Sequence, residues 1–184
     1  MTTGCQVPEP FAVAVAGVAG SGKTTLGRAV ASRLRAPLLD LDTLTNPLLD
    51  ALGPEVFDGH WLASAHATRV RRGRYAALLA TAAEVLGSAG RVVLVAPFTA
   101  ELAGGDAWRA LEGATRPARL RVVQLVGSPA LFAARRAGRG TVRDLHRPAG
   151  TDVGVAVPVL AVDADQPRPV QLEQVLRDLG VAED

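Results

Sequence analysis

Short apolar runs alternate with helix-length amphipathic stretches along most of the chain. The first run, Phe11–Ala16, predicts a buried strand, and apolar residues at helical spacing predict a helix over Lys23–Leu34. Further strands are predicted at Pro37–Leu41, Arg91–Ala96, Leu120–Val126 and Val159–Val162, and further helices within Pro47–Ala89 and at Thr99–Leu111, Pro129–Ala137 and Val170–Leu179. Strands separated by helix-sized connections are typical of βαβ units, so the pattern predicts an α/β fold with a parallel sheet covered on both faces.

Composition narrows the class of protein further. The 184 residues are 48% hydrophobic, which is enough to bury the core of a single domain over 1–184. No apolar run reaches the length of a membrane span, and a net charge of +2 with 4% aromatic residues argues against nucleic acid as the main partner. A single cysteine, Cys5, is typical of a reducing compartment. We therefore expect a cytoplasmic monomer or homodimer without a membrane or nucleic-acid partner.

A glycine-rich turn follows the first predicted strand. Its sequence, GVAGSGKT from Gly17 to Thr24, fits G-x-x-x-x-G-K-[ST] at every fixed position. Such a turn lets successive backbone N–H groups point at one anion, and the following helix adds its positive N-terminal end. The residues predicted to bind a nucleoside triphosphate are Gly17, Val18, Ala19, Gly20, Ser21, Gly22, Lys23, Thr24 and Thr25.

Lys23 is the only lysine of a chain in which arginine otherwise supplies the basic residues. The chain thus has lysine where a compact point charge is needed and a planar guanidinium would fit poorly. Lys23 is predicted to reach the β- and γ-phosphates and to act in catalysis, and Thr24 to ligate Mg²⁺.

Two carboxylates, Asp40 and Asp42, follow the second predicted strand. If the strand continues through both, alternation places them on one side, at the sheet edge where ligands bind. Asp40 could then hold the hydrated metal and Asp42 accept a proton from an attacking hydroxyl, although either could instead cap the next helix. The chain cannot contain the N-K-x-D motif of GTPases, and its third strand ends without the carboxylate usual in mechanical ATPases.

These motifs resemble those of the small-molecule kinases of the shikimate kinase and gluconate kinase group. The likeness rests on the glycine-rich turn Gly17–Thr24, which has the P-loop motif, on Leu39–Leu44 followed by Pro47, and on the ending Val159–Pro167. It implies a three-layer sandwich with a five-stranded parallel sheet of order 2-3-1-4-5. It also implies a substrate-binding helical segment at about 44–90 and a lid at about 135–150.

The same resemblance implies a nucleotide site closed by basic residues. Adenine would lie between Arg135 and the loop that contains Asp165 and Pro167. Arg135 and Arg139 share a helix face by their four-residue spacing, so they are predicted to neutralise the transferring phosphoryl group. The alternative is a solvated, arginine-rich helix.

The acceptor is the part of the site about which the sequence is least specific. We expect a pocket formed by Asp42, Arg69, Arg72, Pro97 and Phe98, with the two arginines available to bind a carboxylate or phosphate, unless they form a solvated helix face. The prediction is an ATP- and Mg²⁺-dependent kinase, a phosphotransferase with an alcohol acceptor. The acceptor would be a sugar, sugar acid, cyclitol or hydroxylated natural product such as an antibiotic. A nucleoside or nucleotide kinase is the first alternative, and a nucleotide-binding regulatory ATPase is the second.

Overall fold

The fold is built on one five-stranded parallel sheet in the order β2-β3-β1-β4-β5, as the resemblance implied. The structure is a computed structural model and describes residues 9–138 and 154–181. β5 is an edge strand, which is consistent with Pro158 just before it, because proline cannot donate to a sheet ladder. The strands are β1 (Phe11–Ala16), β2 (Leu38–Asp40), β3 (Arg91–Val95), β4 (Arg119–Val126) and β5 (Leu160–Asp163).

Helices connect the strands and cover both faces of the sheet. They are α1 (Lys23–Leu34), α2 (Leu41–Ala51), α3 (Pro54–Phe57), α4 (Ala67–Ala89), α5 (Thr99–Leu102), α6 (Gly105–Thr115), α7 (Pro129–Ala137) and α8 (Arg168–Asp178). None of the helices in the described part of the chain is long and apolar enough to cross a membrane.

The two sides of the sheet carry separate hydrophobic clusters, which confirms the three-layer arrangement. In β1, Ala12 and Ala14 point into one cluster, and Val13 and Val15 point into the other. The first cluster includes Leu78 of α4, whereas the second packs against α1 and α8. All five strands are parallel, so the turns after β1, β2, β3, β4 and β5 meet at one edge of the sheet.

Two predicted elements differ from those in the structure. The second strand ends at Asp40, so strand alternation does not position Asp42, which lies in the first turn of α2. The cause is capping: the Asp40 side chain accepts from the backbone N–H groups of Asp42 and Thr43 and so starts a helix. The helix predicted over 99–111 is instead α5 and α6, separated where Gly104 adopts a φ of 86°.

Part of the predicted lid, residues 139–150, lies outside the described residues. Arg139 is among them. The start of the lid is described, and α7 begins at Pro129 and ends at Ala137 as the sequence predicted.

Candidate active site

The glycine-rich turn between β1 and α1 forms a tight phosphate-binding loop. Gly20 and Gly22 adopt φ values of 89° and 91°, which side-chain-bearing residues rarely tolerate. Gly22 is also the N-cap of α1 and makes no side-chain capping bond, so the helix N-terminus is open to an anion. The loop therefore has the backbone geometry that its motif predicts.

Helix α7 packs directly on this loop. A Cβ on Gly20 would lie 2.4 Å from the carbonyl oxygen of Phe132, so only glycine fits there. Arg136 Nη1 donates to the carbonyl oxygen of Ala19 at 2.9 Å, which fixes α7 over the loop. Helix α7, which leads into the predicted lid, is thus in direct contact with the phosphate-binding loop, and the bond of Arg136 to Ala19 is a contact that the sequence did not indicate.

Lys23 is buried at the start of α1, with 9% of its surface exposed. Its Nζ donates to the carbonyl oxygen of Val18 at 3.4 Å, within the loop itself. The only ammonium group of a lysine side chain in this protein is therefore held inside the phosphate-binding turn.

Thr24 and Asp40 meet across the gap between α1 and β2. The Thr24 hydroxyl donates to Asp40 Oδ2 at 2.8 Å, and Asp40 is only 8% exposed. The other carboxylate oxygen, Oδ1, accepts from the backbone N–H of Asp42 at 2.9 Å. No group of three or more histidine, cysteine, aspartate or glutamate side chains suited to a metal occurs in the described part of the chain. Thr24 and Asp40 nevertheless fit Mg²⁺, because this ion uses few protein oxygens and takes its other ligands from water and phosphate.

Asp42 has a different partner from Asp40 and is bonded to Arg74 of α4. Arg74 Nη2 donates to Asp42 Oδ1 at 2.6 Å, and the Arg74 side chain is 9% exposed against 37% for Asp42. The same guanidinium donates to Thr45 Oγ1 at 2.8 Å and to Asn46 Oδ1 at 2.9 Å. Arg74 thus joins one face of α2 to α4.

The network around Arg74 continues in two directions. The guanidinium lies 4.9 Å from the ring of Trp61, whose Nε1 donates to Asp50 Oδ1 at 2.9 Å. Asn46, the only asparagine of the chain, is 3% exposed, and its Nδ2 has no partner among the described residues. Because arginine can only donate, Arg74 fixes the orientation of this amide and leaves a buried donor for water or ligand.

Helix α4 points a second arginine inward, one turn before Arg74. Arg71 pairs with the buried Glu101 of α5 at 3.2 Å and lies 4.3 Å from the ring of Tyr75. Burial raises the pKa of Glu101 above its usual value, and Arg71 opposes this shift. Burial and the charge of Glu101 also raise the pKa of Tyr75, whose hydroxyl accepts from the backbone N–H of Phe98 at 2.9 Å. This cluster anchors α4 to the turn after β3.

Arg69 and Arg72, which the sequence placed in the acceptor pocket, lie on the exposed face of α4. With Ala65, His66 and Thr68 they line a shallow surface groove. The structure does not bring them to Asp42. The signal that separates the two arginine pairs is helical phase, because Arg71 and Arg74 lie four residues before the buried Tyr75 and Leu78.

The turn after β3 contains Pro97 and Phe98, both predicted to line the acceptor pocket. Pro97 is half-buried, whereas Phe98 is fully buried and packs edge-on against Tyr75 with ring centroids 5.9 Å apart. The Phe98 ring therefore belongs to the core, and the structure does not bring it to the site predicted for substrate.

The predicted adenine loop and Arg135 are adjacent. Arg135 Nη2 donates to the carbonyl oxygen of Ala164 at 2.9 Å. The buried Gln171 of α8 donates to the carbonyl oxygens of Asp163, Ala164 and Gln166 at 3.2, 3.3 and 2.8 Å, so this loop is tied to α8. Asp165 and Pro167, both predicted to contact nucleotide, lie in this loop and are exposed. Gln171 is a further residue that sequence inspection did not single out.

Comparisons with known proteins agree with this geometry. The shikimate kinase family model matches residues 19–61. A gluconokinase from Sinorhizobium meliloti 1021 is 23% identical with a TM-score of 0.58, covering 93% of this chain and 92% of its own. The Mycobacterium tuberculosis APS kinase CysC, solved with AMPPNP and APS, is 22% identical with a TM-score of 0.60, covering 95% and 99%. A shikimate kinase from Bacteroides thetaiotaomicron is 17% identical with a TM-score of 0.57, covering 93% and 99%.

No curated protein matches the chain. The solved structures show that the fold is shared with P-loop kinases, and the family model covers the segment from the phosphate-binding loop through α3. The resemblance to P-loop small-molecule kinases is thereby confirmed.

Proposed function

We propose that this protein is an ATP- and Mg²⁺-dependent kinase that transfers the γ-phosphate to a hydroxyl of a small polar metabolite. The observation that carries the proposal is the placement of Asp40 and Asp42. Asp40 bonds to Thr24 of the phosphate-binding loop, and Asp42, two residues on, bonds to Arg74 of the substrate-binding segment. A metal-side oxygen and a candidate base are thus joined by a single helical turn, as transfer between two bound substrates requires.

Each residue has a distinct part in the proposed reaction. Lys23 and the loop N–H groups bind the triphosphate, and Thr24 with Asp40 would hold Mg²⁺, which neutralises phosphate charge when bound. Asp42 accepts the proton of the acceptor hydroxyl while the hydroxyl oxygen bonds to the γ-phosphorus. The bond between the γ-phosphorus and the oxygen that bridges it to the β-phosphate breaks, and ADP leaves. Arg135, and Arg139 if the lid closes, offset the charge on the transferring group.

The residues around Asp42 suit a compact, oxygen-rich acceptor. Thr45, Asn46 and Arg74 are polar, and the Trp61 ring beside Arg74 is buried and bonded to Asp50, which favours a polyol over a nucleobase. A sugar, sugar acid, cyclitol or hydroxylated natural product such as an antibiotic fits this chemistry. The structural likeness to a gluconokinase supports this class of substrate.

The direct test is a screen for acceptor-dependent ADP formation. Purified protein with ATP and Mg²⁺ would be supplied in turn with sugars, sugar acids, cyclitols, aminocyclitols and nucleosides, and the products analysed by mass spectrometry. We expect phosphorylation of a polyhydroxylated compound and slow hydrolysis without acceptor. Preference for a nucleoside would favour the nucleoside kinase alternative, and rapid hydrolysis that no acceptor changes would contradict the kinase assignment.

Asp40 offers a test of the metal site that leaves the fold intact. Asparagine caps a helix about as well as aspartate, so Asp40→Asn should keep α2 in place while removing the charge that faces Thr24. We expect a several-fold or larger rise in the Mg²⁺ concentration needed for half-maximal turnover. Asp40→Ala removes the cap as well and should cost about 1 kcal/mol of stability beyond the asparagine variant, measured by urea unfolding. Equal Mg²⁺ dependence in wild type and Asp40→Asn would contradict this role.

Arg74 is expected to position Asp42 without touching nucleotide. Arg74→Met keeps most of the buried hydrocarbon but removes the ion pair with Asp42, so we expect kcat to fall by roughly 10- to 100-fold with the Kd for ATP unchanged. Arg109→Met, on the exposed surface of α6, is the matched control. Arg69→Met and Arg72→Met test the prediction made from sequence: if either raises KM for the acceptor more than Arg74→Met does, the exposed pair binds substrate after all.

A further inference from the structure

Arg168, at the start of α8, has two guanidinium nitrogens without a hydrogen-bond partner among the described residues. Its Nε and Nη1 atoms are buried and have no hydrogen-bond partner in residues 9–138 and 154–181. Buried donors are nearly always bonded in folded proteins, because an unsatisfied one carries its full desolvation cost. A group outside the described residues should therefore complete this side chain.

The guanidinium of Arg168 lies beside the phosphate-binding loop. A Cβ built on Gly22 would lie 3.9 Å from Arg168 Nη2 and 4.0 Å from Arg135 Nη1. Two guanidinium groups, one from α7 and one from α8, therefore approach the same point at the open N-terminus of α1. Arg135 is anchored there by its bond to Ala164, whereas Nε and Nη1 of Arg168 have no hydrogen-bond partner in the described part of the chain.

Three separate effects make this arrangement costly while the site is empty. The pKa of Arg168 is lowered, chiefly by burial and also by the like charge of Arg135. In addition, Arg168 is the first residue of α8, where the helix dipole disfavours a cation, and the first turn contains no acidic residue. Neither Arg135 nor Arg168 forms an ion pair within the described ranges. A residue that served stability alone would not be placed here.

We propose that Arg168 is a nucleotide-binding residue that acts with Arg135, and that the phosphate chain of the bound nucleoside triphosphate supplies the missing negative charge. The proposal rests on the triphosphate site of the proposed function and adds to it a second arginine, from α8. The glycine-rich motif gives no indication of Arg168. This arginine follows the predicted adenine loop and lies 146 positions after Gly22 in the chain.

The experiment compares Arg168→Gln and Arg168→Lys with Arg177→Gln, a control on the same helix whose side chain is 72% exposed. Two quantities are measured on each full-length protein: the Kd for Mg-ATP and for ADP by isothermal titration calorimetry, and the melting temperature without nucleotide. Because the buried charge of Arg168 is uncompensated in the empty site and compensated in the occupied one, replacing it should lower the affinity for nucleotide and raise the melting temperature of the empty protein.

For Arg168→Gln we expect the Kd for Mg-ATP to rise about tenfold or more and the melting temperature of the empty protein to rise by about 2–4 °C. Arg168→Lys should keep most of the affinity, since it keeps the charge, and Arg177→Gln should leave the affinity unchanged. Inorganic tripolyphosphate has the phosphate chain of ATP but no nucleobase, and it should also bind more weakly to Arg168→Gln than to the wild type.

Other outcomes separate this inference from the proposed function. If the wild-type protein binds Mg-ATP and Arg168→Gln binds it equally well, the role of Arg168 is overturned and the kinase assignment is untouched. A variant that loses both affinity and melting temperature would show a structural role, which also overturns the inference. If the wild type itself binds no nucleotide, the proposed function fails first and the inference falls with it.

Discussion

Replacing Lys23 by alanine should lower kcat/KM by roughly 10³-fold or more, because the charge that neutralises the β- and γ-phosphates is lost. The ammonium group lies within the phosphate-binding loop, 3.4 Å from the carbonyl oxygen of Val18, where it can meet the β- and γ-phosphates. No other lysine exists in the chain to replace it. Steady-state kinetics with the acceptor found by screening would measure the loss.

Two companion variants make this result specific. Lys23→Arg should recover little activity, because a planar guanidinium does not fit a buried position occupied by a point charge. Arg28→Ala removes an exposed cation from the same helix and should leave kcat/KM within about twofold of wild type. Near-normal turnover in a folded Lys23→Ala protein would remove the assignment of this loop as the triphosphate site.

Asp42→Asn should cut phosphoryl transfer by roughly 10²- to 10⁴-fold, the usual contribution of a positioned general base. The substitution keeps an oxygen that can accept from Arg74, so α2 and α4 should remain joined. Because Asp42 faces Arg74 and Asp40 faces Thr24, the Kd for ATP should change little. Single-turnover transfer and calorimetric ATP binding, measured on the same preparation, separate these two effects.

The control for this variant lies on the same helix. Asp50→Asn keeps an acceptor for Trp61 Nε1 and should leave the transfer rate nearly unchanged. Together with Asp40→Asn, the pair of variants assigns the two carboxylates. The two roles would be exchanged if Asp42→Asn altered the Mg²⁺ dependence and Asp40→Asn altered only the transfer rate.

Much of this site was accessible from the sequence because its parts are local. The phosphate-binding loop, its lysine and the start of α1 lie within a few residues of one another, and their function depends on backbone geometry that glycines at fixed spacing dictate. The parallel sheet was accessible for a similar reason, since alternating strand and helix patterns leave few topologies. The strand order, which the resemblance to small-molecule kinases implied, is the observed one.

The geometry of the two aspartates shows where local reasoning failed. Strand alternation predicted one shared side for Asp40 and Asp42, but the Asp40 side chain bonds to the following backbone N–H groups and ends the strand. Competition between a side-chain cap and a sheet ladder is decided by a few hydrogen bonds, and an aspartate is compatible with either. The two carboxylates consequently face different partners, Thr24 and Arg74.

What the sequence by itself determined is therefore the nucleotide-binding loop, the order of elements and the fold that they build. Only the tertiary structure decided which arginines enter the site. Arg74 meets Asp42 across 32 residues of chain, and Arg135 and Arg168 meet beside Gly22 from two separate helices. The physical reason is that the position of a charged residue around the helix axis and the packing of that helix together decide whether the side chain meets solvent or a neighbouring element. Helix packing depends on the whole core and not on the local sequence.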